Sequence, residues 1–328
     1  MVFCVCRYND IISLDNLLEA WREFIRGKRF RKDTQEFERN LMHNIISLHD
    51  DLAHKTYEHS EYEAFNISDP KPRNIHKAQV RDRLLHHAIY RILYPYFDRQ
   101  FSSSSYSCRL GKGTHKALDQ FRRYSFEASK NHTKTLWILK CDIRKFFASI
   151  DQDILMGILW KHIKDPDIIW LLERIILSFY GTEVGKGLPL GNLTSQLLVN
   201  IYMNEFDQFV KHEIKAKYYI RYADDFVTMS TDKAVLENIL PRFYKFLFSR
   251  LKLSLHPDKV FIRSLASDLD FLGWVHFCDH RILRSAARRR MFKNLENNKV
   301  NNVTQSYIGL LSHGNSQKLA KKITDMAA

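Results

Sequence analysis

The stretch Tyr219–Ser230, YIRYADDFVTMS, sets two adjacent aspartates between two β-rich runs. That pattern predicts a hairpin with Asp224 and Asp225 at its tip. Successive side chains of an extended chain point to opposite faces, so the two carboxylates cannot face one point equally. Adjacent carboxylates also repel, which raises one pKa unless a cation offsets the charge. A further aspartate, Asp142, ends the almost uninterrupted apolar run Thr135–Ile143, TLWILKCDI. Such a run suits a central strand buried on both faces. If the two strands are neighbours, Asp142 and Asp224 meet at one edge of a sheet. Hard oxygen ligands without a matching His or Cys cluster suit Mg²⁺ or Mn²⁺. The bland alternative is a solvated turn, and the rest of the chain decides between them.

Charge narrows the partners. The 328 residues hold 51 Lys and Arg against 37 Asp and Glu, a net charge of +14. From Arg281 onward there are ten Lys and Arg and two acids. This balance favours a polyanion, nucleic acid before an anionic membrane. No run approaches the roughly 20 apolar residues of a membrane span, and MVFCVCRYND is too short for a signal-peptide core. No membrane partner is expected. Five cysteines, an odd number without a CxxC pair, argue against a disulfide framework or zinc ribbon. A reduced, cytoplasmic protein is the expectation.

Residues 10–60 read as helices, the first capped by Ser13 or Asp15 and stopped at Gly27. Two prolines hold the start of DPKPRNIHKAQVRDRLLHHAI extended, and a helix follows from about Gln79. After TLWILKCDI a helix begins near Ile150. Another, capped by Thr194 or Ser195, precedes the aspartate hairpin. AVLENILPRFYKFLFSRL is helical apart from Pro241, and LKLSLHP and LDFLGWVHF read as short strands. Helices mixed with a largely antiparallel sheet give the α+β class.

Several motifs then stand in a telling order. YADD resembles the YxDD box of reverse transcriptases, and CDIRKFFASID resembles their preceding metal-binding motif. GLPLGNLTSQLLVNIYMNEFD is similar to the loop and helix between the two. KPRNIHKAQVRDRLLHHAI and YSCRLGKGTHKAL resemble the fingers motifs, LSLHPDKV and LDFLGWVHF the late palm motifs, and SYIGLLSHGNSQKL the end of a short thumb. The likeness runs from about Asp69 to near the C-terminus. The LPLGNLTSQ form resembles most closely the enzymes of diversity-generating retroelements, where group II intron and retroviral enzymes usually carry a PQG-type core.

The resemblance implies a right-hand polymerase with a ferredoxin-like palm, an antiparallel sheet plus helices. Residues 1–68 would be an N-terminal helical extension, 69–135 fingers, 136–277 palm (160–192 partly fingers) and 278–328 a short basic thumb. The implied activity is RNA-directed DNA synthesis with two Mg²⁺ ions, Mn²⁺ being a possible substitute. Asp142 and Asp224 would be the principal metal ligands, with Asp225 beside them and the Ile143 carbonyl as a further ligand. Lys259 would neutralise or protonate the leaving pyrophosphate, unless it is a surface lysine. Lys71, Arg73 and Arg83 would grip the incoming dNTP, although Arg83 also fits a solvated basic face. Phe147 would be the aromatic gate against a 2′-hydroxyl, with Phe146 a core residue. Gly191 and Gln196 would lie beside the nascent base pair. Arg288, Arg289, Arg290 and Lys293 would track the nucleic-acid backbone.

The implied partners are an RNA template, a DNA or RNA primer, dNTPs and a small basic accessory protein. Mutagenic copying of template adenines is implied too, in a bacterial, archaeal or phage-encoded protein. About fifty residues follow FLGW, too few for a thumb plus an RNase H, maturase or endonuclease domain. Two other readings remain: a retron- or abortive-infection-type reverse transcriptase, and a non-catalytic RNA-binding factor on the same fold.

Overall fold

A computed structural model describes residues 4–68, 72–181, 183–297 and 301–327. In chain order, four helices, α1 Tyr8–Ile12, α2 Leu14–Phe24, α3 Lys32–Arg39 and α4 Leu41–Ala53, precede a hairpin of β1 Glu63–Ile67 and β2 Arg73–Lys77. Helices α5 Val80–Gln100 and α6 Thr114–Ala128 lead to β3 Trp137–Asp142. Next come α7 Phe146–Ser149, α8 Gln152–His162, α9 Pro166–Leu177 and α10 Leu193–Phe209. Strands β4 Tyr219–Tyr222 and β5 Asp225–Ser230 are followed by α11 Lys233–Leu251 and β6 Phe261–Ser264. The chain closes with β7 Leu269–Phe271, β8 Trp274–His276, β9 Arg281–Leu283, α12 Ser285–Asn297, α13 Asn301–Leu311 and α14 Gln317–Ala327.

The chain divides into two compact units. One comprises residues 1–108, 143–215 and 244–255. In it α5 packs against α2 and α10, with Leu17, Ala20 and Phe24 of α2 and Leu84, Leu85, Ala88 and Ile89 of α5 buried. Ser13 caps α2 through a hydrogen bond from the Asn16 amide, as expected, and the chain turns at Gly27, φ +68°. The other unit comprises 109–142, 216–243 and 256–328. It is built on an antiparallel sheet of order β4-β5-β3-β6, with α6 against β4 and β5. Ile138, Leu139 and Cys141 of β3 are wholly buried, as a central strand requires. A second sheet, β7-β8-β9, shares a core with α12–α14 through Trp274, Leu283, Met291, Leu311 and Ile323.

Several local expectations need correction. Helix α10 starts at Leu193, with Asn192 in the cap position. Asn192 spends its amide on the His76 carbonyl at 2.9 Å, and Thr194 and Ser195 are buried in the first turn. Helix α11 runs unbroken through Pro241. LKLSLHP forms no strand beyond a single bridge from Leu255 to Ile143, and the edge strand is Phe261–Ser264 instead. LDFLGWVHF is two strands, turning at Leu272 and Gly273. The β1–β2 hairpin lies where only an extended segment was expected. Cys4 and Cys6 are joined as a disulfide, against the expectation of reduced thiols. The pair is two residues apart with Cα atoms 5.2 Å apart, within the usual disulfide range and a spacing that a search for CxxC overlooks.

Candidate active site

Strand pairing brings the distant aspartates together. Strands β3 and β5 run antiparallel with Asp142 directly opposite Asp225. Opposed residues project to one face with Cβ atoms about 5 Å apart, so these two carboxylates share a face. Strands β4 and β5 are joined by a two-residue turn, Ala223–Asp224, closed by Tyr222 and Asp225. Ala223 takes the left-handed conformation such turns require, φ +56°. The tip expected to hold both aspartates therefore holds Asp224, while Asp225 is a strand residue. Arg221, fully buried, donates from Nη1 to the Ala223 carbonyl at 3.1 Å and holds the turn from beneath.

Two lysines meet this face. Lys259 Nζ donates to Asp142 Oδ1 at 2.8 Å. Its turn, Pro257–Lys259, is anchored to the same residue, because the His256 amide donates to the Asp142 carbonyl at 2.7 Å. Lys140 Nζ lies 3.4 Å from Asp225 Oδ2 and donates to the Asp270 carbonyl at 2.7 Å. Asp225 Oδ1 is buried and has no hydrogen-bond partner. Burial pushes the Asp225 carboxyl up to about 7; Lys140 opposes the rise, and the charges of Asp142 and Asp224 add to it.

Among the described residues no group of three or more His, Cys, Asp and Glu side chains is gathered as a metal cluster. The donors nonetheless fit a hard divalent cation. They are carboxylate oxygens, one buried and unpartnered, on a group whose ionisation its like-charged neighbours oppose. Ile143 is buried, bridging Leu255. Lys140 and Arg221 were not singled out in the sequence. The available signal was a cation inside each apolar strand, WILKCD and YIRY, where a charge must find a partner.

The remaining expected residues fall in both units. In the first, Phe146 is buried and Phe147 half-buried, their rings in edge contact at 5.5 Å. Gly191 has φ +110°, and a Cβ there would lie 3.0 Å from Ile75 Cγ2, so glycine lets the loop close on β2. Gly191, Gln196 and Arg83 line one cavity of about 390 Å³. Arg83 donates to Asp33 Oδ2 at 2.6 Å. Arg73 is exposed at the start of β2, and Lys71 lies outside the described residues. In the second unit, Arg288, Arg289 and Lys293 are exposed on α12 and Arg290 is half-buried. Arg288 and Arg289 line a groove of about 800 Å³ with Phe292, Lys318 and Lys322.

Comparison with known proteins gives the family and the fold. The family model for reverse transcriptase (RNA-dependent DNA polymerase) matches residues 67–276. Protein YkfC of Escherichia coli strain K12 is 26% identical over 285 residues, covering 74% of this chain and 72% of that protein. The group II intron-encoded protein LtrA of Lactococcus lactis is 24% identical over 279 residues, but this chain spans only 45% of its length. Among solved structures, apo telomerase from Candida tropicalis truncated from its C-terminal domain superposes with a TM-score of 0.52 at 12% identity. That match covers 74% of this chain and 60% of the other. The mixed helix-and-sheet fold is that of a right-hand polymerase with antiparallel sheets. No helix among the described residues is long and apolar enough to cross a membrane.

Proposed function

The chain belongs to the reverse transcriptase (RNA-dependent DNA polymerase) family, and from that premise we propose that it extends a primer with deoxynucleotides on an RNA template at the carboxylates of β3 and β5. One observation carries the reading: Asp142 opposes Asp225 in register, with Asp224 in the adjoining turn and Lys259 on the Asp142 carboxylate. Asp142 and Asp224 would hold the divalent ions, with Asp225 and the Ile143 carbonyl beside them. Mg²⁺, or Mn²⁺ in its place, would when bound supply activation of the primer 3′-hydroxyl and charge to offset the leaving pyrophosphate. The protein's share is positioning and charge. Lys71, Arg73 and Arg83 hold the triphosphate, guanidinium forks suiting phosphate oxygens. Phe147 excludes a 2′-hydroxyl, and Gly191 and Gln196 bound the nascent pair. Lys259 carries positive charge, and a proton, to the pyrophosphate.

In this reading residues 69–135 act as fingers, 136–277 as palm and 278–328 as a basic thumb bearing Arg288–Arg290 and Lys293 on the template–primer. Residues 1–68 are an extension to the fingers. The subgroup we favour is the diversity-generating retroelement enzyme, mutagenic at template adenines and working with a small basic accessory protein. Its support is the sequence LPLGNLTSQ, Leu188–Gln196, beside the proposed base-pair site. Primer extension on an RNA template with Mg²⁺ tests the activity: dNTP incorporation by the wild type and none by Asp224→Asn is expected, and equal incorporation rejects it. Sequencing the cDNA tests the subgroup. Errors concentrated opposite adenines are expected, and faithful copying of adenines removes the assignment.

A further inference from the structure

A cavity of about 360 Å³ lies within the second unit, between α6, the end of the β8–β9 hairpin and the loop joining α13 to α14. Its walls carry Asp119 and Arg122 of α6, His280 and Arg281 of the hairpin, and His313 of the loop. Asp142, Asp225, Lys140 and Lys259 do not line it. Arg281 sets its electrostatics. The side chain is only 13% exposed. Nε donates to the His313 carbonyl, Nη2 reaches Asp119 Oδ1 only at 3.4 Å, and Nη1 is buried without a partner. Burial pushes the guanidinium pKa down; Asp119 opposes the fall and Arg122 adds to it. A guanidinium with unmet donors at a buried wall costs more than one whose donors are partnered. The acids that could answer it lie outward. Asp119 is 66% exposed, and Asp279, 83% exposed, is turned to His280 Nδ1 at 2.7 Å. The positive charge of Arg281 therefore sits in the wall, while the carboxylates sit in solvent, where they are screened.

We propose that this cavity is an anion site apart from the polymerase centre, and that it takes the phosphate of a small phosphate monoester such as a nucleoside 5′-monophosphate, held by Arg281 and Arg122. Guanidinium forks suit phosphate oxygens. The volume lies at the small end of ligand pockets, roughly 300–1,000 Å³, and so suits a small molecule. The Phe277 and His280 rings lie parallel at 4.5 Å, a flat aromatic pair beside the cations and next to where a nucleoside would extend. An occupant touches α6, the hairpin and the α13–α14 loop together, elements far apart in sequence. Its binding free energy is then added to the stability of the folded second unit. The site does not depend on the polymerase reading, because it shares no residue with the carboxylates of β3 and β5.

The test is calorimetric titration and thermal unfolding of the full chain with inorganic phosphate and with adenosine 5′-monophosphate, at constant ionic strength and without divalent metal. Saturable binding that raises the thermal midpoint is expected. Equal affinity for the two probes makes phosphate alone the ligand, and tighter binding of the nucleotide adds the nucleoside; both uphold the site. No saturable binding of either overturns it. Arg122→Ala, at an exposed position, should weaken binding about two- to five-fold, and Arg281→Lys about ten-fold or more. Asp119→Asn should do the opposite and tighten binding about two- to five-fold, because it removes the carboxylate that competes for Arg281. An Arg281 with a purely structural role gives no such gain. Binding that is unchanged in both Arg122→Ala and Asp119→Asn places the anion elsewhere and overturns the proposal, even if Arg281→Lys does not fold. Asp224→Asn should bind both probes as the wild type does, and weaker binding in that variant would put the ligand in the polymerase centre instead.

Discussion

At the scale of residues, the informative contrast is between Asp224 and Asp225. They are neighbours in sequence, yet one occupies a hairpin turn and the other a ladder position opposite Asp142. Asp225 is answered by Lys140 and leaves one oxygen buried without a partner, an arrangement suited to supporting a cation rather than leading its capture. Single-nucleotide incorporation at saturating Mg²⁺ should therefore fall further in Asp224→Asn than in Asp225→Asn. The latter should lose about 10- to 100-fold, the scale of a group that orients ligands. The reverse order would exchange the two roles. The aspartates were legible in sequence because Asp142 ended an apolar run and the Asp224–Asp225 pair stood between two β-rich runs. The pairing of Asp142 with Asp225 was not, because register depends on a partner strand far away in the chain. Lys140 and Arg221 escaped notice for a related reason: their meaning lies in the carboxylate and carbonyl they reach, not in their own strands.

At the scale of elements, helices with a regular apolar face were legible and short strands were not. The Ser13 cap and the start of α5 near Gln79 follow from local chemistry. The β1–β2 hairpin, with mostly exposed strands, has no apolar alternation to announce it. Pro241 sits in α11 because the tertiary setting overrides a local breaker. The second sheet offers two tests of its packing. A Cβ on Gly314 would lie 2.1 Å from Cζ3 of Trp274, a core ring that cannot move aside freely. Gly314→Ala should cost about 1–3 kcal/mol by overpacking, read as a lower denaturation midpoint at unchanged slope. His276 of β8 is buried, with Nε2 3.3 Å from the Phe271 carbonyl, and burial lowers its pKa to about 4. The unfolded chain then binds the extra proton first as pH falls below about 6.5. Stability from this group is present above that value and is lost towards pH 4, by about 3 kcal/mol at most. Unfolding of His276→Gln against wild type across that window should show a shallower acid loss, and parallel curves would assign the acid sensitivity to other groups.

At the scale of the whole molecule, the charge of +14 bears on partners rather than on fold. Its distribution matters more than its sum. Ten cations and two acids lie between Arg281 and the last residue of the sequence, and the exposed Arg288 and Arg289 share a groove with Lys318 and Lys322. A surface of this kind gains affinity by releasing counterions from a nucleic-acid backbone, so its contribution must fade as salt rises. Core packing does not depend on these side chains, which separates binding from folding in a variant. Replacing both Arg288 and Arg289 by Ala should leave the thermal midpoint near the wild-type value. The slope of log affinity for a template–primer duplex against log salt should shrink by about 1.8, two phosphate contacts at roughly 0.9 each. Primer extension should then fail at moderate salt and recover at low salt. Equal slopes in the wild type and the double variant would mean that this groove faces solvent during synthesis and that the backbone is held elsewhere.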